Sequence, residues 1–381
     1  MAIGVLTVAA FVIVTTEYLI VGLLPALARE LNLTISTVGG LVTLFAFTVM
    51  LCGPVLTASL AHLERKRLFV IILLVFAAAN ALAAVAPNIW VLALARFIPA
   101  LLLPVFWGTA SDTAAHMVGP ERAGRAVAKV YLGISAALLL GVPLGTLWAS
   151  VFGWRSAFWA LSALSLLMAW ALYGWMPKVR MRERVSLRAQ ASALKSAYFV
   201  ANVLLSVWVF TAMFTAYTYL ADVLERLAEV PVGQVGWWLM GFGAVGLMGN
   251  ALGGLVVDKH PLASTGGFGL LLGLGMLFAA LWMNHEVGFV FALAVWGIAY
   301  TALFPICQVR VMKAAKGAQA LAGTLNVSAA NAGTGIGAWL GGWVIQAYGL
   351  GHLVYVAAAL SAMTILFSAL VAKLKKTAVS I

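Results

Sequence analysis

Three side chains that carry formal charge lie well inside apolar stretches of this 381-residue chain: Glu17, Arg96 and Asp112. An ionisable group in hydrocarbon costs about 2.5–3.5 kcal/mol on insertion scales, so each needs a partner or a purpose. Glu17 stands about nine residues before the end of its stretch, roughly 13 Å deep at about 1.5 Å per residue. Arg96 stands about seven residues into a stretch that runs the other way, roughly 10 Å deep by the same rise. The similar depth predicts an ion pair. A carboxylate so placed can take up and return a proton, with Arg96 setting when it lets go. The alternative is a static pair that pins two helices together.

Asp112 lies about 24 Å along the helix from Arg96. There it can meet the basic cluster Arg65, Lys66 and Arg67. It reads as a gate or latch rather than a proton carrier. Asp258 with Lys259, together with Arg310, is the expected second-half equivalent. If such pairs are exposed they are ordinary interfacial ion pairs, each contributing about 0–1 kcal/mol.

Aromatic and amide side chains within the apolar stretches are the candidates to line a central cavity. They are Tyr18, Phe45, Phe106, Trp107, Tyr131, Tyr217, Tyr219, Asn250, Gln308, Asn326 and Asn331. Amides inside a membrane helix need a protein partner or water. Tyr217 and Tyr219 are two apart and share a helical face only where the helix is irregular. No phosphate-binding loop, His-Glu-x-x-His pair or Gly-x-Ser-x-Gly elbow occurs, and the five histidines are scattered. ATP drive, zinc chemistry and nucleophilic catalysis therefore have no footing, and no metal or organic cofactor is expected. Cys52 and Cys307 both sit in apolar runs and form no close-spaced pair.

The elements that must position these groups follow from composition. Hydrophobic residues make up 64% of the chain and charged residues 9%, with a mean hydropathy of +1.06. So few charges cannot cover a water-facing surface, which excludes a soluble globular or a disordered chain. The net charge of +12 resides in short clusters between apolar runs, as at a lipid headgroup boundary rather than on a nucleic-acid-binding face. Twelve apolar runs are long enough to cross a bilayer: 3–26, 38–60, 68–86, 89–115, 127–150, 156–176, 197–221, 234–256, 264–283, 288–309, 319–346 and 350–372. The connectors on one side hold 19 of the 23 Lys and Arg residues, with Arg310 counted among them. That bias predicts cytoplasmic termini and a cytoplasmic middle loop. The first run lacks a basic leader and a small-residue cleavage site, so it reads as a true span.

The segment from Pro177 to Ser196 is the long charge-rich connector, and it divides the chain into six spans and six spans. The predicted organisation is a bundle over 1–176, a linker over 177–196 and a bundle over 197–381. Glycines recur in the fifth span (Gly133, Gly141, Gly145) and the eleventh (Gly333, Gly335, Gly337, Gly341, Gly342), pairing Gly141 with Gly333. The predicted fold is therefore all-α and membrane-integral, with twelve helices in two pseudo-symmetric six-helix bundles. That is the layout of a rocking transporter with one central site. Gly141 and Gly145 share a helical face, and Pro143 bends the helix. A tight contact of this region with span 8 or 11 would close a proton leak.

The fifth span, LLLGVPLGTLWASVFGWRSAF (138–158), is similar to the antiporter signature of the major facilitator superfamily, in its twelve-span drug:proton antiporter branch. Arg96 in LALARFIPA matches the arginine of the family's fourth-span motif, and SDTAAHMVGPERAGRA resembles the junction that follows it, placing Asp112, Glu121, Arg122 and Arg125. TTEYLIVGLLP, FTAYTYL and NAGTGIGAWLGG resemble most the bacterial sugar-efflux and arabinose-efflux exporters. Ala61 stands where the family pattern has an aspartate, and Glu64 where it has a glycine, which puts a first-half latch from that loop in question. The resemblance implies proton-coupled export of a small molecule, a sugar or drug-like compound, by a monomer in the bacterial inner membrane. Protons would be the coupling ion, and Glu17 with Arg96 would carry the coupling. A uniporter or proton symporter of the same fold is the alternative; a membrane-embedded enzyme or channel has no motif to support it.

Overall fold

Apolar runs of this length can satisfy their backbone only as helices when no water is at hand, and helices are what form. A computed structural model describes residues 2–60, 62–118, 123–177, 179, 196–315 and 319–379. The helices are α1 (Ala2–Glu30), α2 (Ile35–Leu60), α3 (Arg65–Ala84), α4 (Ile89–Val118), α5 (Ala123–Ala136), α6 (Val142–Phe152) and α7 (Trp154–Trp175), then α8 (Ala197–Tyr217) and α9 (Leu220–Arg226). They continue as α10 (Val232–Val257), α11 (Pro261–Leu281), α12 (Glu286–Ala314), α13 (Gln319–Tyr348), α14 (Leu350–Ala362) and α15 (Thr364–Val379). No β-strand occurs among the described residues.

Three spans are interrupted. A π-turn at Ala137–Gly141 joins α5 to α6, just ahead of Pro143, whose missing N–H breaks the regular ladder. Span 7 breaks at Thr218 and Tyr219 between α8 and α9, and span 12 breaks at Met363. Counting each interrupted pair as one, eleven described helices are long and apolar enough to cross a bilayer. The remaining helix, α13, has 30 residues but is rich in Gly, Asn, Ser and Thr, which lowers its hydropathy. It is the twelfth.

The chain divides into two compact units, Met1–Arg184 with Val230–Met240, and Val185–Glu229 with Gly241–Ile381. The first turns of α10 thus pack with the first unit. Most of the 177–196 connector and Arg122 lie outside the described residues.

Irregular backbone repeats between the units. Asn32 and Glu229 both take positive φ (52° and 53°) just past the ends of α1 and α9. Gly153 (81°) and Gly349 (87°) do so at the joints before α7 and α14. Close approaches repeat as well. A Cβ on Gly133 would run into the Thr7 carbonyl, the Ala10 side chain and the Phe11 amide. A Cβ on Gly333 would meet the same trio on α8: the Val207 carbonyl, Phe210 and the Thr211 amide. The repeat therefore matches Gly133 with Gly333 and Gly141 with Gly341, correcting the pairing of Gly141 with Gly333.

Candidate functional site

In the first unit three helices converge on one turn of α1. Arg96 on α4 is 2% exposed and donates from Nη1 to the Thr16 carbonyl at 2.5 Å and from Nη2 to the Glu17 carbonyl at 2.6 Å. Each helix carbonyl has a second lone pair to offer, so the guanidinium grips α1 without unwinding it. Asn80 on α3 donates to the Thr16 hydroxyl at 3.1 Å. The Phe45 ring on α2 covers the guanidinium at 4.4 Å from its centroid, a cation–π contact.

The ion pair expected from sequence is replaced by this clamp. Arg96 holds the backbone of Glu17, and among the described residues no Lys or Arg forms an ion pair with the Glu17 carboxylate. Glu17 and Tyr18 are half-buried. The arrangement puts a cation beside a carboxylate that forms no ion pair with it and that is hydrogen-bonded to the Tyr18 side chain. Asn80 and Thr16 were missed in the sequence, although an amide in the run FAAANALAA is the kind of group that needs a partner in hydrocarbon.

The fifth-span signature does two jobs. Gly141 and Gly145 face α1, against the Thr15 and Leu19 side chains, rather than span 8 or 11. The contact with span 8 is made from the other side: a Cβ on Gly236 would meet the Pro143 carbonyl at 2.8 Å and Leu147 at 2.5 Å. Downstream, Gly153 turns the chain so that Trp154 and Arg155 reach the end of α1. The Trp154 indole donates to Glu30 at 2.6 Å, Arg155 forms an ion pair with Glu30, and Arg155 also donates to the Ala86 carbonyl at 3.1 Å. The Gly-Trp-Arg triplet is thus a staple joining the ends of α1 and α3 to the α6–α7 joint.

Of the gating candidates, Arg65 (3% exposed) and Asp112 (50%) pair at 3.5 Å. Arg67 is exposed and lies 3.8 Å from Glu64. Glu64 caps α3 by accepting from the Lys66 and Arg67 amides, which gives the departure at that position a structural role. In the second unit Asp258 pairs with Lys313 at 2.8 Å, not with Lys259, which is exposed, nor with Arg310. Arg310 belongs to the interior of α12 rather than to a connector.

The cavity candidates separate into different settings. Phe106 is core, edge-on to Phe69 and Trp107, and Trp107 touches the exposed Tyr131. Asn331 donates to the Val327 carbonyl of its own helix, and Asn250 is half-buried on α10. Tyr219 donates to the Ala338 carbonyl at 2.8 Å. The break after Tyr217 frees the two tyrosines from one helical phase, and Tyr217 stacks on Tyr300 at 4.5 Å. Phe242 lies against both, and Trp296 lies edge-on to Phe242. Sequence reasoning missed Tyr300, Phe242 and Trp296, since nothing in their spacing separates them from lipid-facing aromatics. Gln308 and Asn326 bond each other at 2.7 Å and join Arg310 through Ser206.

Twelve helices in two units with repeated joints are the architecture of a multi-pass membrane protein. The sequence pattern of the Major Facilitator Superfamily matches residues 6–325. The chain belongs to that superfamily and is a transporter, not an enzyme; such proteins are membrane-embedded and bind small-molecule substrates. It is 33% identical over 347 residues to the "Inner membrane transport protein YdhP" of Escherichia coli (strain K12), covering 91% of this chain and 89% of the relative. It is 30% identical over 368 residues to a "Probable sugar efflux transporter" of Mannheimia succiniciproducens, covering 95% and 91%. Among solved structures, a bacterial homolog of the human lysosomal transporter Spinster in an inward-facing, unoccupied conformation aligns with a TM-score of 0.81 at 15% identity, covering 98% and 96%. A D-xylose-proton symporter aligns with a TM-score of 0.78 at 15% identity, covering 96% and 95%. These two likenesses establish the fold alone.

Proposed function

We propose that this chain is a proton-coupled exporter of a small hydroxylated solute, in the manner of sugar efflux, working by alternating access in a bacterial inner membrane with both termini cytoplasmic. The observation that carries the reading is the Arg96 clamp: the guanidinium is occupied by the Thr16 and Glu17 carbonyls, so the Glu17 carboxylate sits beside a fixed cation without being tied to it. A carboxylate tied in a bidentate pair must break it before each protonation. One that is only shielded can exchange its proton whenever water reaches it. The relatives named as sugar efflux transporters support the cargo class. Tyr217, Tyr300 and Phe242 form a buried aromatic cluster of the kind on which a sugar ring could stack once a cavity opens beside it.

The test is transport in proteoliposomes under an imposed pH gradient. Glu17→Gln should fold normally, keep counterflow without a gradient and lose pH-driven accumulation. Coupled flux unchanged by that substitution overturns the assignment. A symporter of the same fold would accumulate cargo in the direction opposite to that of an exporter, and a uniporter would show counterflow alone.

A further inference from the structure

Arg310 in the second unit is 1% exposed, one turn before the end of α12, and has no carboxylate beside it as Arg96 has Glu17. Its Nη1 donates to the Thr265 hydroxyl at 3.2 Å, and its Nη2 donates to the Asn202 carbonyl at 3.0 Å and the Ser206 hydroxyl at 2.7 Å. All three acceptors are neutral. Among the described residues no Asp or Glu pairs with it, and its titratable neighbours are Cys307 and Tyr198. A buried cation surrounded by neutral dipoles is an expensive arrangement for a membrane helix to keep.

Two further atoms in the same cluster are unsatisfied. Arg310 Nε–H has no acceptor, as Arg96 Nε–H has none, and here the side-chain oxygen of Asn202, fully buried, also has no donor. The orientation of that amide is fixed, because Asn202 Nδ2 donates to the Tyr198 carbonyl at 2.8 Å. The rest of the network is closed on itself: Ser206 donates to Asn326, Asn326 to Gln308, and Gln308 to the Gly323 carbonyl. What the cluster lacks is one negative charge for the guanidinium edge and one O–H for Asn202.

We propose that this cluster of α8, α11 and α12 is a binding site for a hydroxylated oxyanion, either inorganic phosphate or the carboxylate or phosphate of a sugar acid. An anionic oxygen would accept from Arg310 Nε–H, and a hydroxyl of the same ligand would donate to Asn202. A bare halide supplies the charge but not the hydroxyl, and a neutral sugar supplies the hydroxyl but not the charge. The site stands independently of the direction of transport and of the role of Glu17.

The experiment is thermal unfolding of the purified full-length protein in lipid nanodiscs, at constant sodium with HEPES as the balancing anion. Titrants are phosphate, gluconate, chloride and glucose. Phosphate or gluconate should raise Tm saturably by about 3 °C, chloride less, and glucose through this cluster not at all. A larger effect of gluconate than of phosphate assigns the charge to a cargo; equal effects assign it to a free ion. Arg310→Gln should abolish the oxyanion response. If that variant does not fold, Thr265→Val answers the same question by freeing another N–H of the guanidinium, and should keep or strengthen the response. No saturable oxyanion response in the wild type, a response that survives Arg310→Gln, or one lost in Thr265→Val overturns the proposal.

Discussion

The two units solve the same problem, a guanidinium buried among helices, in opposite ways. In the first, Arg96 grips the carbonyls of Thr16 and Glu17, and a carboxylate lies on the gripped residue. In the second, Arg310 is surrounded by hydroxyls, a carbonyl and amides, with no carboxylate paired to it among the described residues. The matching helices differ accordingly. α1 runs unbroken through Glu17, whereas its counterpart stops at Tyr217, the residue 200 positions on, where an aromatic ring takes the place of the acid. Duplicated architecture has kept the joints and the close contacts while the charge chemistry has diverged. The first unit holds an acid beside its buried cation, and the second holds a cation and a set of rings.

The largest test of this contrast removes each cation in turn. Arg96→Met discards two charge-assisted bonds and leaves Glu17 without its neighbouring charge, a loss of about 2 kcal/mol after the desolvation of Arg96 is recovered. Arg310→Met discards three charge-assisted bonds but also recovers the desolvation of a cation with no carboxylate beside it, and it leaves the Ser206–Asn326–Gln308 chain intact. In phosphate-free buffer it should be neutral within about 0.5 kcal/mol, or stabilising. Thermal unfolding of the two variants side by side checks the ranking. Equal losses would mean that the two guanidinia are structurally alike and that the comparison fails.

The next test concerns what the units share. Gly133→Ala and Gly333→Ala each drive a Cβ into a backbone carbonyl and an amide on the facing helix, which cannot rotate away. Each should lower stability by about 1–3 kcal/mol. Gly141→Ala meets the Thr15 side chain first, rather than backbone, and should lower it by less although the Thr15 Cβ cannot turn away. A tolerated Gly133→Ala beside a damaging Gly333→Ala would show that the close contact is not a common feature.

Much of this was legible in the sequence, and the pattern of what was not is instructive. Span number follows from hydropathy, and the burial of Arg96 follows from the penalty on a charge in hydrocarbon, both one-dimensional quantities. The clamp was not legible, because a side chain bonding a backbone carbonyl leaves no mark on residue type. Arg310 was misplaced for a related reason. Near a span end, a basic residue that completes a headgroup cluster and one that turns inward look identical until the neighbours on α8 and α11 are known. The glycine pairing was misjudged because several glycines crowd the eleventh span, and only the facing atoms identify which one matches Gly133.

The smallest effect separates the two ion pairs at the helix ends. Arg65 is buried and Asp112 is half-exposed, so Asp112→Asn leaves a cation partly uncompensated in a confined setting and should lower stability by about 1 kcal/mol. Asp258 and Lys313 are 75% and 42% exposed, so water and salt already screen them. Asp258→Asn should therefore shift stability by less than about 0.5 kcal/mol, and the shift should vanish in high salt. The polarity is also reversed, since the acid lies on α4 in the first unit and just past α10 in the second, with the base on α3 and on α12 respectively. If both pairs stabilise one conformational state, both neutralising substitutions should change the exchange rate in the same sense, with Asp112→Asn the larger. Opposite signs in a transport assay would mean that the two pairs favour different states, and the second unit's pair could not then be called the equivalent of the first.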